Sequence, residues 1–222
     1  LTQKIMDIFI PIIKEYYGID GALEFLKELN LKYNFFKEQY LERFSILYAD
    51  LLKEKGNFDE GIEILENVRS KQQNVSTDLY FLLSELYILK KDYESANTIN
   101  FEGMQAYQNN VDLKRQSLKI SFYLGNKKEA IDALKNLISA YPDDSDAYII
   151  LGEIYKSIKN FDEQIETLKK GLNFSKNKDG ILKALVQAYI DNNKLNEALN
   201  LVPALIQEAK IGNNELYWVA LE

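Results

Sequence analysis

The sequence has no cysteine and no histidine, and it contains only three prolines and ten glycines among its 222 residues. Without cysteine and histidine the chain cannot form a disulfide, a Cys/His zinc site, or a Ser-His-Asp or Cys-His nucleophile. A large part of known enzyme chemistry is thereby excluded. The scarcity of proline and glycine favours long helices over many short strands joined by turns.

The formal net charge is −7, from 27 Lys and Arg against 34 Asp and Glu. Nucleic-acid binding needs a basic face that releases counterions, so we expect no nucleic-acid partner. The apolar stretch from Ile5 to Ile13 is too short to span a membrane and includes Asp7 and Pro11. We therefore expect a soluble protein without a membrane span, and the sequence leaves open whether it is cytoplasmic or periplasmic.

A repeating pattern is visible when the chain is aligned with itself. Apolar residues recur three, four, seven, nine and thirteen positions from a small residue, which is a helical spacing. We number positions in each repeat by their offset from this small-residue position. This position recurs at intervals of 34 to 39 residues, and in one repeat it is a glutamine. Its occupants are Ala22, Gly61, Ala96, Ala130, Gln164 and Ala198.

Each repeat also contains a short break between its two helical halves. Glycine and asparagine, which are frequent in these breaks, tolerate the left-handed conformation that ends a helix. Acidic residues follow each break, where the N-terminal dipole of the next helix favours negative charge. We therefore predict helix, tight turn, helix in every repeat, with turns at Tyr17-Gly18, Gly56-Asn57, Lys91-Asp92, Gly125-Asn126, Lys159-Asn160 and Asn193-Lys194.

This pattern resembles the tetratricopeptide repeat family, whose unit of about 34 residues has a tyrosine in its first helix and an alanine in its second. The nearest matches are Leu151 to Tyr155, Lys159 to Phe161, and Gly125 to Ala130 followed by Tyr141-Pro142. The resemblance implies an all-α fold, a right-handed superhelical solenoid of antiparallel helix pairs. Residues 1–222 would form one such domain, with about six repeats beginning near residues 3, 42, 77, 111, 145 and 179 and a partial repeat from 213.

The partial repeat carries an expectation of its own. Asn213 to Glu222 reads as one extra first helix, with Leu216, Val219 and Ala220 at the apolar offsets. An uncovered end of a repeat array exposes apolar surface. We therefore expect the natural protein to continue beyond residue 222, and end-to-end self-association is an option that the sequence leaves open.

The resemblance also implies a binding surface, because each first helix lines the concave side where related proteins hold a segment of a partner. Four apolar groove residues are expected to anchor partner side chains: Phe81, Ile88, Phe122 and Ile149. The competing interpretation is a solvated face with incidental hydrophobic residues. The helical phase places the following residues on the groove: Ile46, Asp50, Lys53, Phe81, Glu85, Ile88, Arg115, Lys119, Phe122, Ile149, Glu153, Lys156, Lys183, Gln187 and Ile190.

Four basic groove residues come from three consecutive first helices, and they predict a locally positive field in that part of the groove despite the acidic total. Such a field would favour an acidic partner segment with apolar anchors. The competing interpretation is that nearby acids neutralise the cations. The cations are Arg115, Lys119, Lys156 and Lys183, and the nearby acids are Asp112, Asp146 and Asp191.

We expect no catalytic residue, no cofactor and no metal. The acidic run Asp143 to Asp146 lacks the glycine and distal glutamate of a calcium loop, and a helix N-cap after Pro142 explains it. The leading hypothesis is a non-enzymatic protein–protein interaction scaffold, an adaptor or assembly factor. The alternative is a peptide-sensing regulatory module attached to an effector domain outside this chain. An enzyme would need a facing pair of carboxylates, and the sequence distinguishes none.

The junction between the third and fourth repeats looks weak from the sequence. Asn100, Gly103, Ser117 and Ser121 occupy offsets where other repeats have larger apolar residues. Each missing contact of the size of leucine forgoes about 1.5–3 kcal/mol. We therefore expect this junction to open first.

Overall fold

The computed structural model describes residues 2–33, 40–175 and 178–212, and the side chains of residues 9–32, 40–175 and 178–207. Over these ranges the fold is all-α, as expected, with short turns between helices. The helices are α1 (Thr2–Tyr33), α2 (Leu41–Lys55), α3 (Phe58–Lys71), α4 (Thr77–Leu89), α5 (Tyr93–Ala106), α6 (Val111–Tyr123), α7 (Lys127–Ala140), α8 (Ser145–Ser157), α9 (Phe161–Phe174), α10 (Asp179–Asp191) and α11 (Leu195–Gly212).

Consecutive helices form pairs that correspond to the predicted repeats. The helix α1 is itself a pair, because Gly18 interrupts it with a φ of 72° and a ψ of −176°. After it, α2 packs on α3, α4 on α5, α8 on α9 and α10 on α11. The even-numbered helices α2 to α10 are therefore the first helices of their repeats, and α3 to α11 are the second helices.

The turns inside the repeats share one backbone geometry. At the five turns that follow α2, α4, α6, α8 and α10, a residue with positive φ donates its N–H to the carbonyl three positions back, and the following N–H donates to the carbonyl five positions back, at 2.9 to 3.2 Å. This pair of bonds is the Schellman arrangement that satisfies the last carbonyls of a helix. The predicted breaks are confirmed, with positive φ at Gly56, Lys91, Gly125, Lys159 and Asn193.

Replacing Lys159 by glycine should raise the free energy of unfolding by about 0.5 to 1 kcal/mol. The φ of 60° costs lysine about 1 to 2 kcal/mol of conformational energy. Glycine avoids this cost, but it loses more backbone entropy on folding. Urea unfolding measures the difference. Lys159→Ala is the matched control, because alanine removes the same side chain and keeps the strain. Equal stability of the two variants would contradict the prediction.

The N-termini of several helices are capped by side chains. Asp144 accepts a hydrogen bond from the N–H of Ala147 at 3.1 Å, so the acidic run at Asp143 to Asp146 is the N-cap of α8, as predicted. Asp92 caps α5 in the same way, at 3.2 Å from the N–H of Ser95. These caps satisfy N–H groups that have no partner within the helix.

The described residues divide into two compact units, and the first extends from Leu1 to Ile120. Its small-residue positions Ala22, Gly61 and Ala96 are buried, as the repeat requires. A Cβ atom on Gly61 would lie 3.2 Å from Leu86 Cδ1, which shows how closely α3 approaches α4. The main core of this unit joins α2, α3 and α4 and includes Ile62, Leu65, Val68, Leu79, Leu83 and Leu86.

The junction between the third and fourth repeats was expected to be weak because four residues lack apolar contacts. For two of them, Asn100 and Gly103, this premise is wrong. The amide of Asn100 is buried and donates to the carbonyl of Leu113 at 3.1 Å and to Oε1 of Gln116 at 3.0 Å. Gly103 is buried where a Cβ would stand 2.9 Å from Tyr80 Cβ and 3.1 Å from Leu113 Cδ1. A satisfied polar network and a close helix approach therefore replace the apolar contacts that appeared to be missing.

The second compact unit extends from Ser121 to Glu222. Its small-residue positions Ala130, Gln164 and Ala198 are also buried. Gln164 is the exception in size, and its Oε1 has no hydrogen-bond partner among the described residues. The core between α9, α10 and α11 includes Ile165, Leu168, Ile181, Leu185, Tyr189 and Ala198.

Two expectations are bounded by the described ranges. The extra helix predicted from Asn213, with Leu216, Val219 and Ala220, lies outside the described residues. Among the helices that are described, none combines the length and the apolar character needed to cross a membrane.

Candidate partner-binding surfaces

In the first compact unit, the first helices α2 and α4 pack beside each other and share a charged cluster. Lys53 Nζ lies 2.9 Å from Asp50 Oδ1 on its own helix and 2.9 Å from Glu85 Oε2 on α4. Burial alone would lower the pKa of Lys53, but the carboxylates of Glu85 and Asp50 outweigh it and raise the pKa. With one ammonium against two carboxylates, this cluster has a formal charge of −1.

A cavity of about 250 Å³ opens between α1 and α2, next to this charged cluster. Its rim holds an ion pair in which Lys14 Nζ lies 2.6 Å from Glu54 Oε1. Its walls combine apolar and charged side chains: Ile10, Pro11, Lys14, Arg43, Leu47, Asp50, Leu51 and Glu54. Cavities that hold whole small-molecule ligands usually measure about 300 to 1,000 Å³, so this one has the size for a single large side chain.

The predicted groove residues of the first unit are only partly accessible. Glu85, Arg115 and Lys119 are half-buried, and so is Phe81, whose backbone carbonyl accepts a hydrogen bond from Gln116 Nε2 at 3.0 Å. Ile88, predicted to point outward as an anchor, is 7% exposed. This prediction is wrong, whereas Ile190, at the equivalent offset of α10, is 44% exposed, so burial at this offset depends on the neighbouring helices and not on helical phase. The prediction that Ile46 lies on the accessible groove is also wrong, because Ile46 belongs to the core with Leu79 and Leu83.

The predicted groove residues of the second unit are more accessible, with one exception. Glu153, Lys156, Lys183 and Gln187 are exposed on α8 and α10, and Ile149 is half-buried with its Cδ1 near Gly180. Phe122, predicted to be an exposed anchor, is 2% exposed. Its ring is covered by the Tyr123 ring, with centroids 5.4 Å apart, and by Lys127 Nζ at 5.8 Å.

Ion pairs compensate Arg115, Lys156 and Lys183, three of the four cations that predicted a positive groove. In the second unit Lys156 Nζ lies 2.5 Å from Asp191 Oδ2 and therefore links α8 to α10, and Lys183 Nζ lies 2.7 Å from Asp179. Hydrogen bonds from Lys156 and from Gln187 lower the pKa of Asp191. In the first unit Arg115 pairs with Asp112 on its own helix. These contacts favour the competing interpretation, in which acids neutralise the basic residues.

The described residues contain no cluster of three or more acids, histidines or cysteines that could hold a metal ion. The side chains gathered on the first helices are aliphatic groups and paired charges. Such groups bind surfaces by burial and electrostatic complementarity.

The comparisons with known proteins agree with this architecture. The family model described as tetratricopeptide repeat matches residues 121–177. Residues 121–177 therefore carry tetratricopeptide-repeat sequence. No curated protein matches it.

Solved structures extend the likeness over most of the chain. A thermophilic tetratricopeptide-repeat protein of Thermus thermophilus has 15% sequence identity and a TM-score of 0.64, covering 85% of this chain and 99% of that one. MamA, residues 41 to the end, from Desulfovibrio magneticus RS-1 has 15% identity and a TM-score of 0.44, covering 76% and 95%. The Thermus structure supports the tetratricopeptide-repeat fold of this chain, and at this identity it supports the fold alone.

The cavity was missed by the sequence reasoning. Leu47 and Leu51 lie on α2 at offsets that are apolar in most repeats, so the sequence predicts them to be core residues. Both do pack with the core cluster that contains Ile10. Pro11 was the available indication, because a proline inside a helix removes a backbone hydrogen bond and disturbs the local packing.

Proposed function

We propose that the protein is a non-enzymatic scaffold, an adaptor or assembly factor, that holds a segment of a partner protein against its first helices. The tetratricopeptide-repeat fold supports this function class, because stacked helix pairs present extended surfaces for binding. The observation that carries the proposal is the cavity between α1 and α2, which opens beside the first-helix surface.

The chemistry of the cavity favours an uncharged apolar anchor on the partner. Ile10, Leu47 and Leu51 supply apolar wall, and burying an apolar side chain against such a wall is worth about 25 cal/mol per Å² removed from water. The charges at the rim are already compensated: Lys14 pairs with Glu54, Asp50 pairs with Lys53, and Arg43 Nη1 lies 3.9 Å from Asp78 Oδ2. A charged anchor would therefore lose its hydration without gaining an unpaired counterion.

The second unit is proposed to contact the same kind of segment through the accessible residues Glu153, Lys156, Lys183 and Gln187 and the half-buried Ile149. Because Lys156 and Lys183 are paired, apolar anchors carry more of the proposed affinity than acidic residues do. An acidic partner segment stays a prediction, and its basic counterparts in the first unit would be Arg115 and Lys119.

Selection from a displayed library of random short peptides tests the proposal. We expect the wild-type chain to enrich peptides with a large apolar residue, and Leu47→Trp to weaken their binding at least about tenfold, since the indole would fill the cavity. An affinity loss of this size corresponds to about 1.4 kcal/mol.

The matched control is Leu31→Trp, which places the same side chain at an exposed position of α1 away from the cavity. Thermal unfolding of both variants verifies that each is folded. Equal peptide binding by wild type and Leu47→Trp would move the binding surface elsewhere. Failure to enrich any apolar peptide would contradict the proposed function.

A further inference from the structure

The helix α11 exposes a continuous apolar stripe. Leu195, Leu199, Val202 and Ile206 are spaced by four, three and four residues, so they lie on one face of the helix. Leu199 is 66% exposed and Val202 is 37% exposed. We call these four residues the α11 stripe. Contiguous exposed apolar surface of this kind usually marks an interaction site.

The equivalent positions of the second helices α3 and α9 are buried. Leu199 stands at offset +1 from Ala198, and Val202 stands at offset +4. In α3 and α9 these two offsets are occupied by Ile62 with Leu65 and by Ile165 with Leu168, all of which are buried.

Those buried residues show what kind of surface covers them. Ile62 and Leu65 belong to the same core cluster as Leu83 of α4, the first helix of the next repeat. Ile165 and Leu168 share a cluster with Leu185 of α10 in the same way. In α3 and α9, residues like those of the α11 stripe are therefore covered by the next first helix, whose contacting residue stands at offset −13.

The chain carries an exposed first-helix surface of that kind on α1. Phe9 occupies offset −13, and it is 47% exposed where Leu83 and Leu185 are buried. Ile12 occupies offset −10 and is half-buried, where the equivalent Leu86 is fully buried. We call Phe9 and Ile12 the α1 patch. The stripe and the patch are the two halves of the contact that the repeats use internally.

We propose that the α11 stripe of one copy packs on the α1 patch of a second copy, as a second helix packs on the next first helix within the chain. The second copy is the occupant because this one chain presents both halves of the contact. The contact joins two different surfaces, so each copy can make it twice, and the assembly grows until a ring closes or continues as a linear array. This association goes beyond the proposed scaffold function and does not depend on it.

Sedimentation of the 222-residue chain over a range of concentrations tests the proposal. Wild type should form larger species as concentration rises. Phe9→Lys and Leu199→Lys should each lose them, because either change removes one half of every contact. Both side chains are exposed, so we expect the fold to survive, and circular dichroism checks it. Ile190→Lys, at an exposed position of α10, is the control that should associate like wild type.

Mixing the two variants gives the decisive result. Phe9→Lys keeps an intact stripe and Leu199→Lys keeps an intact patch, so the mixture should form dimers of one copy of each and nothing larger. No dimer in the mixture would overturn the proposal, and so would a monomeric wild type. Association gained only when residues 213–222 are deleted would overturn it as well, because that segment would then occupy the stripe.

Discussion

Replacing Gly103 or Gly171 by alanine is expected to lower the free energy of unfolding by up to about 2 kcal/mol. The two glycines occupy the same offset, +7, in α5 and α9. A Cβ on Gly103 would stand 2.9 Å from Tyr80 Cβ, and a Cβ on Gly171 would stand 2.9 Å from Tyr148 Cβ. Both distances are well inside van der Waals contact, and the obstructing atoms lie at the stiff base of the tyrosines.

The added methyl of Gly171→Ala would also meet Ile181 Cδ1 at 2.9 Å. That atom is the flexible end of a side chain, so the contact with the base of Tyr148 accounts for most of the expected loss. Overpacking of this kind costs about 1 to 3 kcal/mol, from which the better helix propensity of alanine subtracts about 1 kcal/mol. Urea unfolding of each variant measures the net loss.

Gly180→Ala is the matched control for this prediction. Its Cβ would meet only the flexible end of Ile149, at 3.2 Å, so the variant should be as stable as wild type or more stable. Equal effects at Gly171 and Gly180 would show that the close approach of Tyr148 does not limit packing.

The sequence could predict the repeat because its constraints are local. A turn with positive φ needs glycine or asparagine at most of its occurrences, and the period then located Lys91 and Lys159, whose residue type alone gives no indication. Burial at the small-residue position followed likewise, even for Gln164, because helix contact at that offset does not depend on the residue that occupies it.

The binding surface was less predictable because exposure depends on neighbouring helices. Helical phase separates two sides of an isolated helix, but it placed the buried residues Ile88 and Phe122 on the accessible side. The pairing of Lys156 with Asp191 joins two helices 35 positions apart in sequence. Such contacts follow from tertiary packing, which the period alone does not contain.

The polar network in the first unit shows a third limit. Asn100 and Gln116 each occupy an offset that is apolar in most other repeats. From the sequence, Asn100 is interpreted as a missing apolar contact, and Gln116 has no predicted role. The structure joins them, with Gln116 Nε2 also donating to the carbonyl of Phe81 at 3.0 Å. Two polar residues that interrupt apolar offsets on successive helices were the available indication of a buried pair.

We expect Gln116→Leu to lower the free energy of unfolding by about 2 to 3 kcal/mol. The side chain is buried, and its loss removes an acceptor from Asn100 and a donor from the carbonyl of Phe81. A buried polar group left without its partner costs about 1 to 3 kcal/mol, because neither water nor another side chain replaces the bond. Asn100→Leu should be costly for the same reason, since it strands Oε1 of Gln116.

The double variant Asn100→Leu with Gln116→Leu should lose about 1 to 2 kcal/mol less than the sum of the two single changes. Neither partner is then stranded, and the pair becomes apolar like Leu65 and Leu82, which occupy the same two offsets one repeat earlier in the chain. Urea unfolding of wild type, both single variants and the double variant forms a complete cycle, in which residues in direct contact typically couple by about 0.5 to 3 kcal/mol. Additive losses would show that Asn100 and Gln116 stabilise the unit independently, and the close contact between their side chains would then contribute nothing to its stability.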